Sequence, residues 1–235
     1  MKKLYGIGVG PGDPELITIK GVNVLKKVSA IVTPQGKKGE ESIALTIAKP
    51  YIREDVHVES LVFPMTKDPE ALELAWEDNR KRIENLLDNY GEVAFLTLGD
   101  PSVFSTYMYM VPRLMAKDIS VETIPGITAF SALGSAINKS LTLDTESLGV
   151  YPMQKKGEGL RSALSIFDNL VVMKVSTDPE AIQEVLKEQG LERNFVLISH
   201  VSQREQNISY DISKLNKGQV PYLSTMLIKK KEVFQ

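Results

Sequence analysis

Apolar residues fall in short runs along this chain, and between the runs they recur every three or four positions among charged residues. The runs "KLYGIGVG", "SAIVTP", "DVHVESLVF", "EVAFLTLG", "ISVETIPG", "NLVVMKVS" and "NFVLISH" read as strands. The best helix covers 68–90, where Leu72, Trp76, Asn79, Ile83, Leu86 and Tyr90 follow helical spacing and charges fill the other face. Asp68 suits its N-cap and Pro69 its first turn. A second helix is expected from Pro14 onward, with Asp13 as its cap and Glu15 at the positive end of its dipole. A third begins near Ser42, and others cover 106–115, 129–138, 160–167 and 179–189.

This alternation predicts an α/β fold with largely parallel sheets. Towards the C-terminus "NISYDI" and "PYLSTMLIKKKEVF" have strand character with no long helix between them, so a second, partly antiparallel sheet is expected. No low-complexity linker and no internal repeat divides the chain. The expected boundary is the turn at 117–120, giving α/β domains at 1–118 and 119–235.

Composition narrows the function. Basic and acidic side chains, 28 and 30, are intermixed for a formal charge of -2, so no global field draws the protein to nucleic acid or an anionic membrane. The absence of cysteine excludes disulfides, thiolate metal sites and a cysteine nucleophile, and two histidines make a zinc site a poor expectation. His57 lies in an alternating strand and reads as structural; His200 ends a strand, where it either caps a turn or reaches a ligand. Lys229, Lys230 and Lys231 read as a solvated strand end. There is no signal-peptide pattern and no apolar run near the roughly 20 residues of a membrane helix, so a cytoplasmic protein is expected.

The first strand runs into "GVGPGDPELITIK", a glycine-proline loop. A dinucleotide loop needs glycine at its first, third and sixth positions. Counting from Gly6 the sixth is Pro11, and from Gly8 it is Asp13. No Gly-Lys-Ser/Thr follows, and Pro11 and Pro14 remove backbone donors that a phosphate cradle would use. Such a loop instead gives a tight, stiff turn that lets a ligand approach the backbone. "TLGDPSVFSTYMY" and "TIPGITAFSALGSA" repeat the arrangement after two further strands. Three such strand ends, at Gly8, Leu98 and Ile124, point to the carboxyl edge of one sheet, where open α/β folds bind ligands.

"GVGPGDPELITIKG", "LGDPSVFSTY", "IPGITAFSA" and "VVMKV", in this order, resemble the motifs of the tetrapyrrole (class III) S-adenosylmethionine-dependent methyltransferases, and the resemblance spans the chain. "GDPSVFSTYMYM" and "DTESLGVYP" are most similar to the precorrin-2 or cobalt-factor II C(20)-methyltransferase branch of cobalamin synthesis. The resemblance implies two α/β domains with S-adenosyl-L-methionine in the cleft between them, S-adenosyl-L-homocysteine as product, and a homodimer. Carried over by position, the implied cofactor contacts are Pro11, Leu98, Gly99, Asp100, Val103, Phe104, Thr128, Ala129, Met173, Val201 and Thr225. Three of them have a plainer alternative: Asp100 caps a turn, Thr128 caps a helix, Met173 fills a core.

The implied substrate, precorrin-2 or cobalt-factor II, carries many carboxylates. Lys37, Lys38, Arg53, Arg113, Lys155, Lys156 and Arg161 are candidates to meet them by loop position, or else are solvated surface charges. With the methyl group already activated on its sulfonium, catalysis rests largely on positioning. Tyr107, Asp100 and water are candidate bases for the proton that leaves the methylated carbon. Rivals are the same fold acting on another tetrapyrrole carbon, on ribosomal RNA or on protein, and a non-catalytic module that binds S-adenosylmethionine.

Overall fold

The computed structural model describes residues 2–37, 39 and 41–234. Its strands are β1 (Lys3–Gly8), β2 (Ala30–Gln35), β3 (His57–Val62), β4 (Glu92–Thr97), β5 (Ser120–Ile124), β6 (Leu148–Pro152), β7 (Asn169–Met173), β8 (Phe195–Ser199), β9 (Asn207–Ser209) and β10 (Ser224–Lys229). Its helices are α1 (Ile19–Leu25), α2 (Ile43–Ala48), α3 (Pro69–Tyr90), α4 (Tyr107–Met115), α5 (Ala129–Ala136), α6 (Leu160–Ile166) and α7 (Pro179–Glu188). Two compact units divide between Thr128 and Ala129.

The first unit holds a parallel sheet in the order β3-β2-β4-β1-β5. Strand alternation sends Leu4, Ala30, Val32, Val93 and Phe95 to a core shared with Ile83 and Leu87 of α3 and Met110 and Leu114 of α4. On the opposite face Ile7, Ile31, Ala94 and Leu96 meet Leu25 of α1 and Ala44 and Ile47 of α2. Both faces are covered, which is why these strands read as near-continuous apolar runs. The order sets β1 between β4 and β5, so the loops leaving these three strands emerge side by side.

The boundary expected at 117–120 is corrected here. β5 lies beyond that turn, yet it pairs with β1 from Lys3↔Ser120 to Ile7↔Ile124. The turn joins α4 to β5 inside a strand-helix-strand crossover of the first sheet. Local punctuation marks a turn but carries no information about which sheet the next strand joins.

The second unit holds a mixed sheet in the order β6-β7-β10-β8-β9, with β6 parallel to β7 and the other pairs antiparallel, as the C-terminal pattern predicts. Leu170, Val172, Phe195, Leu197, Met226 and Ile228 face Leu160 and Leu164 of α6 and Ile182, Val185 and Leu186 of α7. The apolar pattern does not mark β6, which lies within the "DTESLGVYP" motif: its outward Val150 is 40% exposed at an edge of the sheet.

Caps explain where the helices start. Asp68 accepts from the amides of Glu70 (3.0 Å) and Ala71 (3.4 Å), and Ser42 accepts from Leu45 N at the head of α2. The helix expected from Pro14 is only a single 3-10 turn, Pro14–Leu16, with Asp13 accepting from Glu15 N at 2.9 Å. Ile17 is extended and buried, and α1 starts afresh at Ile19, where Thr18 accepts from Gly21 N at 3.2 Å. Two capping residues compete in this stretch, and burying Ile17 in the core decides for the later one. Among the described residues no helix is long and apolar enough to cross a membrane.

Asp168 ties β7 to the chain entering β6. Its Oδ2 accepts from Ser147 N (3.0 Å) and Ser147 Oγ (2.8 Å), and Lys231 Nζ lies 3.3 Å from Oδ1. The Ser147 bonds and Lys231 hold its carboxyl at about 2, below the usual 3.8. A depressed carboxyl stabilises the fold above its unfolded-state value and loses that contribution as pH falls through its folded-state value. Urea midpoints are therefore expected to drop between the usual value and about 2, and Ser147→Ala to flatten that drop. Identical pH profiles for the two proteins would remove the carboxylate from the account.

Candidate active site

The three glycine-proline loops meet backbone to backbone at the carboxyl edge of the first sheet. Gly10 and Gly99 form an isolated bridge, with Gly99 N donating to Gly10 O at 2.8 Å and Gly10 N to Gly99 O at 3.3 Å. A Cβ added at Gly126 would lie 2.2 Å from Gly99 O and 2.8 Å from Gly8 Cα. One added at Gly8 would lie 2.5 Å from Gly126 N. The glycines thus buy close approach of three chain segments to one another.

Asp100 links two of these loops. Its Oδ1 accepts from Ser102 N at 2.8 Å and from Ser102 Oγ, and its Oδ2 accepts from Gly126 N at 2.9 Å. Burial pushes its carboxyl up, but the Ser102 and Gly126 donors outweigh that and leave it below its ordinary value. Asp100 thus caps the Gly-Asp-Pro turn and also reaches the loop after β5. Pro11 is buried beside the Gly10–Gly99 bridge, and Val103 N closes the turn onto Asp100 O at 3.2 Å. Phe104 adopts a left-handed backbone (φ 50) and is 51% exposed, an unusual conformation for a bulky residue. Leu98 lies half-buried at the head of the same loop, and Thr128 is half-buried just before α5.

Tyr107 departs from its expected role. It is buried at the first position of α4, its ring centroid 5.4 Å from that of Phe95 and its hydroxyl 2.9 Å from Thr123 Oγ1. A Cβ at Gly6 would lie 2.1 Å from Tyr107 Cζ, so Gly6 makes room for this ring under β1. Burial raises the pKa of the phenol, against the requirement for a base. The helix register turns this side chain into the core.

Ala129 opens α5 in the second unit, and the other carried-over residues of that unit gather at one edge of its sheet. Because β10 runs antiparallel to β7 and β8, its start meets their ends: Thr225 pairs with Met173 and with Ile198. Thr225 Oγ1 lies 3.6 Å from Met173 Sδ, and Val201 is buried just beyond β8. At this edge Lys174 (φ 58), His200 (φ 53) and Ser202 (φ 62) are all left-handed. Such conformations in non-glycine residues concentrate at ligand sites. The sequence singles out His200 at this edge, while sequence reasoning missed Lys174 and Ser202, as it missed Ser102 and Gly126. Ser102 was within reach, since Asp followed two residues later by Ser is a turn signature; Gly126 lies too far along the chain for any local pattern to pair it with Asp100.

Of the basic candidates, Arg53 pairs with Asp55, Arg161 with Glu188, and Arg113 with Glu73 while lying 4.9 Å from the Trp76 ring centroid. These three are occupied in local structure. Lys38 lies outside the described residues, and Lys37 sits in the loop after β2. Lys155 and Lys156, exposed in the loop after β6, enter no ion pair with described residues. His57 stacks on Tyr90 with centroids 5.4 Å apart, a structural role as expected.

A parallel sheet, a mixed sheet and three glycine loops crossing at one strand edge define the α/β architecture of this protein. The chain belongs to the tetrapyrrole (corrin/porphyrin) methylase family, which it matches over residues 3–214. A probable cobalt-precorrin-2 C(20)-methyltransferase of Methanocaldococcus jannaschii is 38% identical over 185 residues, which cover 79% of this chain and 77% of that protein. The cobalt-precorrin-2 C(20)-methyltransferase of Salmonella typhimurium is 30% identical over 229 residues, 97% of this chain and 96% of that one. Among solved structures, uroporphyrin-III C-methyltransferase of Thermus thermophilus complexed with S-adenosylhomocysteine shares the fold, with a TM-score of 0.68 at 20% identity over 97% of each chain.

Proposed function

We propose that this methylase transfers a methyl group from S-adenosylmethionine to C(20) of precorrin-2 or cobalt-factor II, in cobalamin biosynthesis, as a cytoplasmic homodimer. The observation that carries the reading is the meeting of three motif loops, far apart in sequence, in one backbone cradle at the carboxyl edge of β1, β4 and β5. The two C(20)-methyltransferase relatives support the acceptor.

The residues present fit the cofactor. The crossing glycines bring three loop backbones together at one strand edge, and a ligand with an amino-acid tail and an adenosine suits a site built of such loops. Pro11, Leu98, Gly99, Asp100, Val103, Phe104 and Thr128 stand as the proposed cofactor contacts of the first unit, and Ala129, Met173, Val201 and Thr225 as those proposed in the second. The cofactor supplies an electrophilic methyl on a sulfonium. What this chain adds is rigidity: the Gly10–Gly99 bridge and the Asp100 bonds leave the loops little freedom, which suits catalysis by alignment. Tyr107 is buried and Asp100 commits both oxygens to loop bonds, which supports giving the departing proton to solvent.

Incubation with S-adenosylmethionine and, separately, precorrin-2 and cobalt-factor II, followed by product mass and NMR, tests this. A new methyl at C(20) of one acceptor is the expected result and names the pathway branch. Cofactor binding with neither acceptor methylated would sink the substrate assignment. Lys155→Gln with Lys156→Gln is expected to raise the tetrapyrrole KM by about three- to tenfold with kcat unchanged, since each exposed cation contributes modestly. An unchanged KM would take these lysines out of the acceptor site.

A further inference from the structure

We infer that Asp100 is a positioning residue: its carboxylate holds the loop after β4 to the loop after β5, and acts on the cofactor through Gly126 rather than by pairing with the cofactor's ammonium group. The inference rests on the cofactor reading above. Three donors converge on this one side chain, Ser102 N, Ser102 Oγ and Gly126 N. A carboxylate offers about four acceptor positions, so these bonds use most of its capacity. The Gly126 amide is taken in the same bond and is not offered to a ligand. Around it the packing is backbone on backbone, with Gly99 O and Gly8 Cα standing where a Gly126 side chain would start. Asp100 reaches across this crossing, and its bond to Gly126 N ties the two loops together through a side chain. Charge strengthens each of these bonds over a neutral equivalent.

A direct ion pair and a loop clamp differ in what they couple to. We would measure binding of S-adenosylhomocysteine and of its deamino analogue, in which hydrogen replaces the amino group, to wild type and Asp100→Asn, well below the melting temperature of each. The clamp predicts that Asp100→Asn weakens both ligands by the same factor, about tenfold or more, because a charge-assisted acceptor is lost from the loop whatever the ligand carries. Loss confined to the ligand with the amino group would overturn it in favour of the ion pair.

Amide exchange provides a readout that does not need the ligand. Gly126 should exchange faster in Asp100→Asn than in wild type, relative to amides in the middle of β4; equal rates would overturn the clamp. If wild type binds neither ligand, the cofactor reading fails, and the Gly126 rates still decide whether the clamp exists. Should Asp100→Asn not fold, Ser102→Ala removes one of the three donors to the carboxylate, the hydroxyl, and predicts a smaller, equal loss for both ligands, about threefold. A loss for one ligand alone would again overturn the proposal.

Discussion

Gly126→Ala is expected to lower kcat/KM by about a hundredfold, because a shift of about 1 Å in a positioning loop costs that much. The new methyl would lie 2.2 Å from Gly99 O and 2.8 Å from two backbone atoms of Gly8. No rotamer relieves this, since the obstacles are main chain; the loop after β5 must retreat from both neighbours. Retreat also stretches the bond from Gly126 N to Asp100. Overpacking of this kind destabilises by roughly 1–3 kcal/mol, and the melting temperature should fall by about 2–4 °C for each of those in a chain of this size. Gly99→Ala is the informative contrast. There the added methyl meets only Ile127 O at 3.9 Å, but φ is +72, so its cost is conformational, about 1–2 kcal/mol. Methyl-transfer kinetics alongside thermal unfolding separate the two. Full activity and an unchanged melting temperature in Gly126→Ala would show that the three loops do not cross as described.

Tyr107 supplies the second large effect, on stability instead of rate. Tyr107→Ala should destabilise by about 3–5 kcal/mol, the usual cost of emptying an aromatic site in a packed core. The ring lies between Phe95 and the space left by Gly6, and nothing small can fill that volume. Tyr107→Phe keeps the ring and loses the hydroxyl's bonds to Thr123 and to the Gly6 backbone, worth about 1 kcal/mol each. It should therefore leave kcat nearly unchanged. General-base catalysis is worth about a hundredfold or more, so a fall of that size in Tyr107→Phe, with an altered pH-rate profile, would overturn the packing assignment. Urea unfolding of both variants and steady-state kinetics of the phenylalanine form make the comparison.

The two residues show how legible the site was. The loops carrying Gly8, Leu98 and Ile124 were marked as a shared edge by strand ends and glycine-proline content, and the strand order brings them together. Asp100 stands out in its loop with two readings open, because a turn cap and a ligand contact demand the same residue type. Tyr107 reads as a candidate base from its place after the Gly-Asp-Pro motif, whereas the helix that begins there rotates it inward. Arg113 and Arg161 looked available by loop position, whereas Glu73 and Glu188, distant in sequence, neutralise them. In the second unit the strand ends and His200 are legible, while Lys174, Ser202 and the left-handed backbone of all three are not, because Lys, His and Ser carry no local signal for positive φ.

By itself the sequence determined the α/β class, the run of strands and most helices, the mixed character of the second sheet and the family. Periodicity, caps and motif order are local properties, and local physics is enough to set them. Only the tertiary structure decided that β5 completes the first sheet, that Pro14 starts a single turn before α1, that Tyr107 is a core residue and that Asp100 fastens Gly126. Each of those depends on which distant segment arrives alongside, and that choice is made by burial of whole faces, not by any residue's own preference.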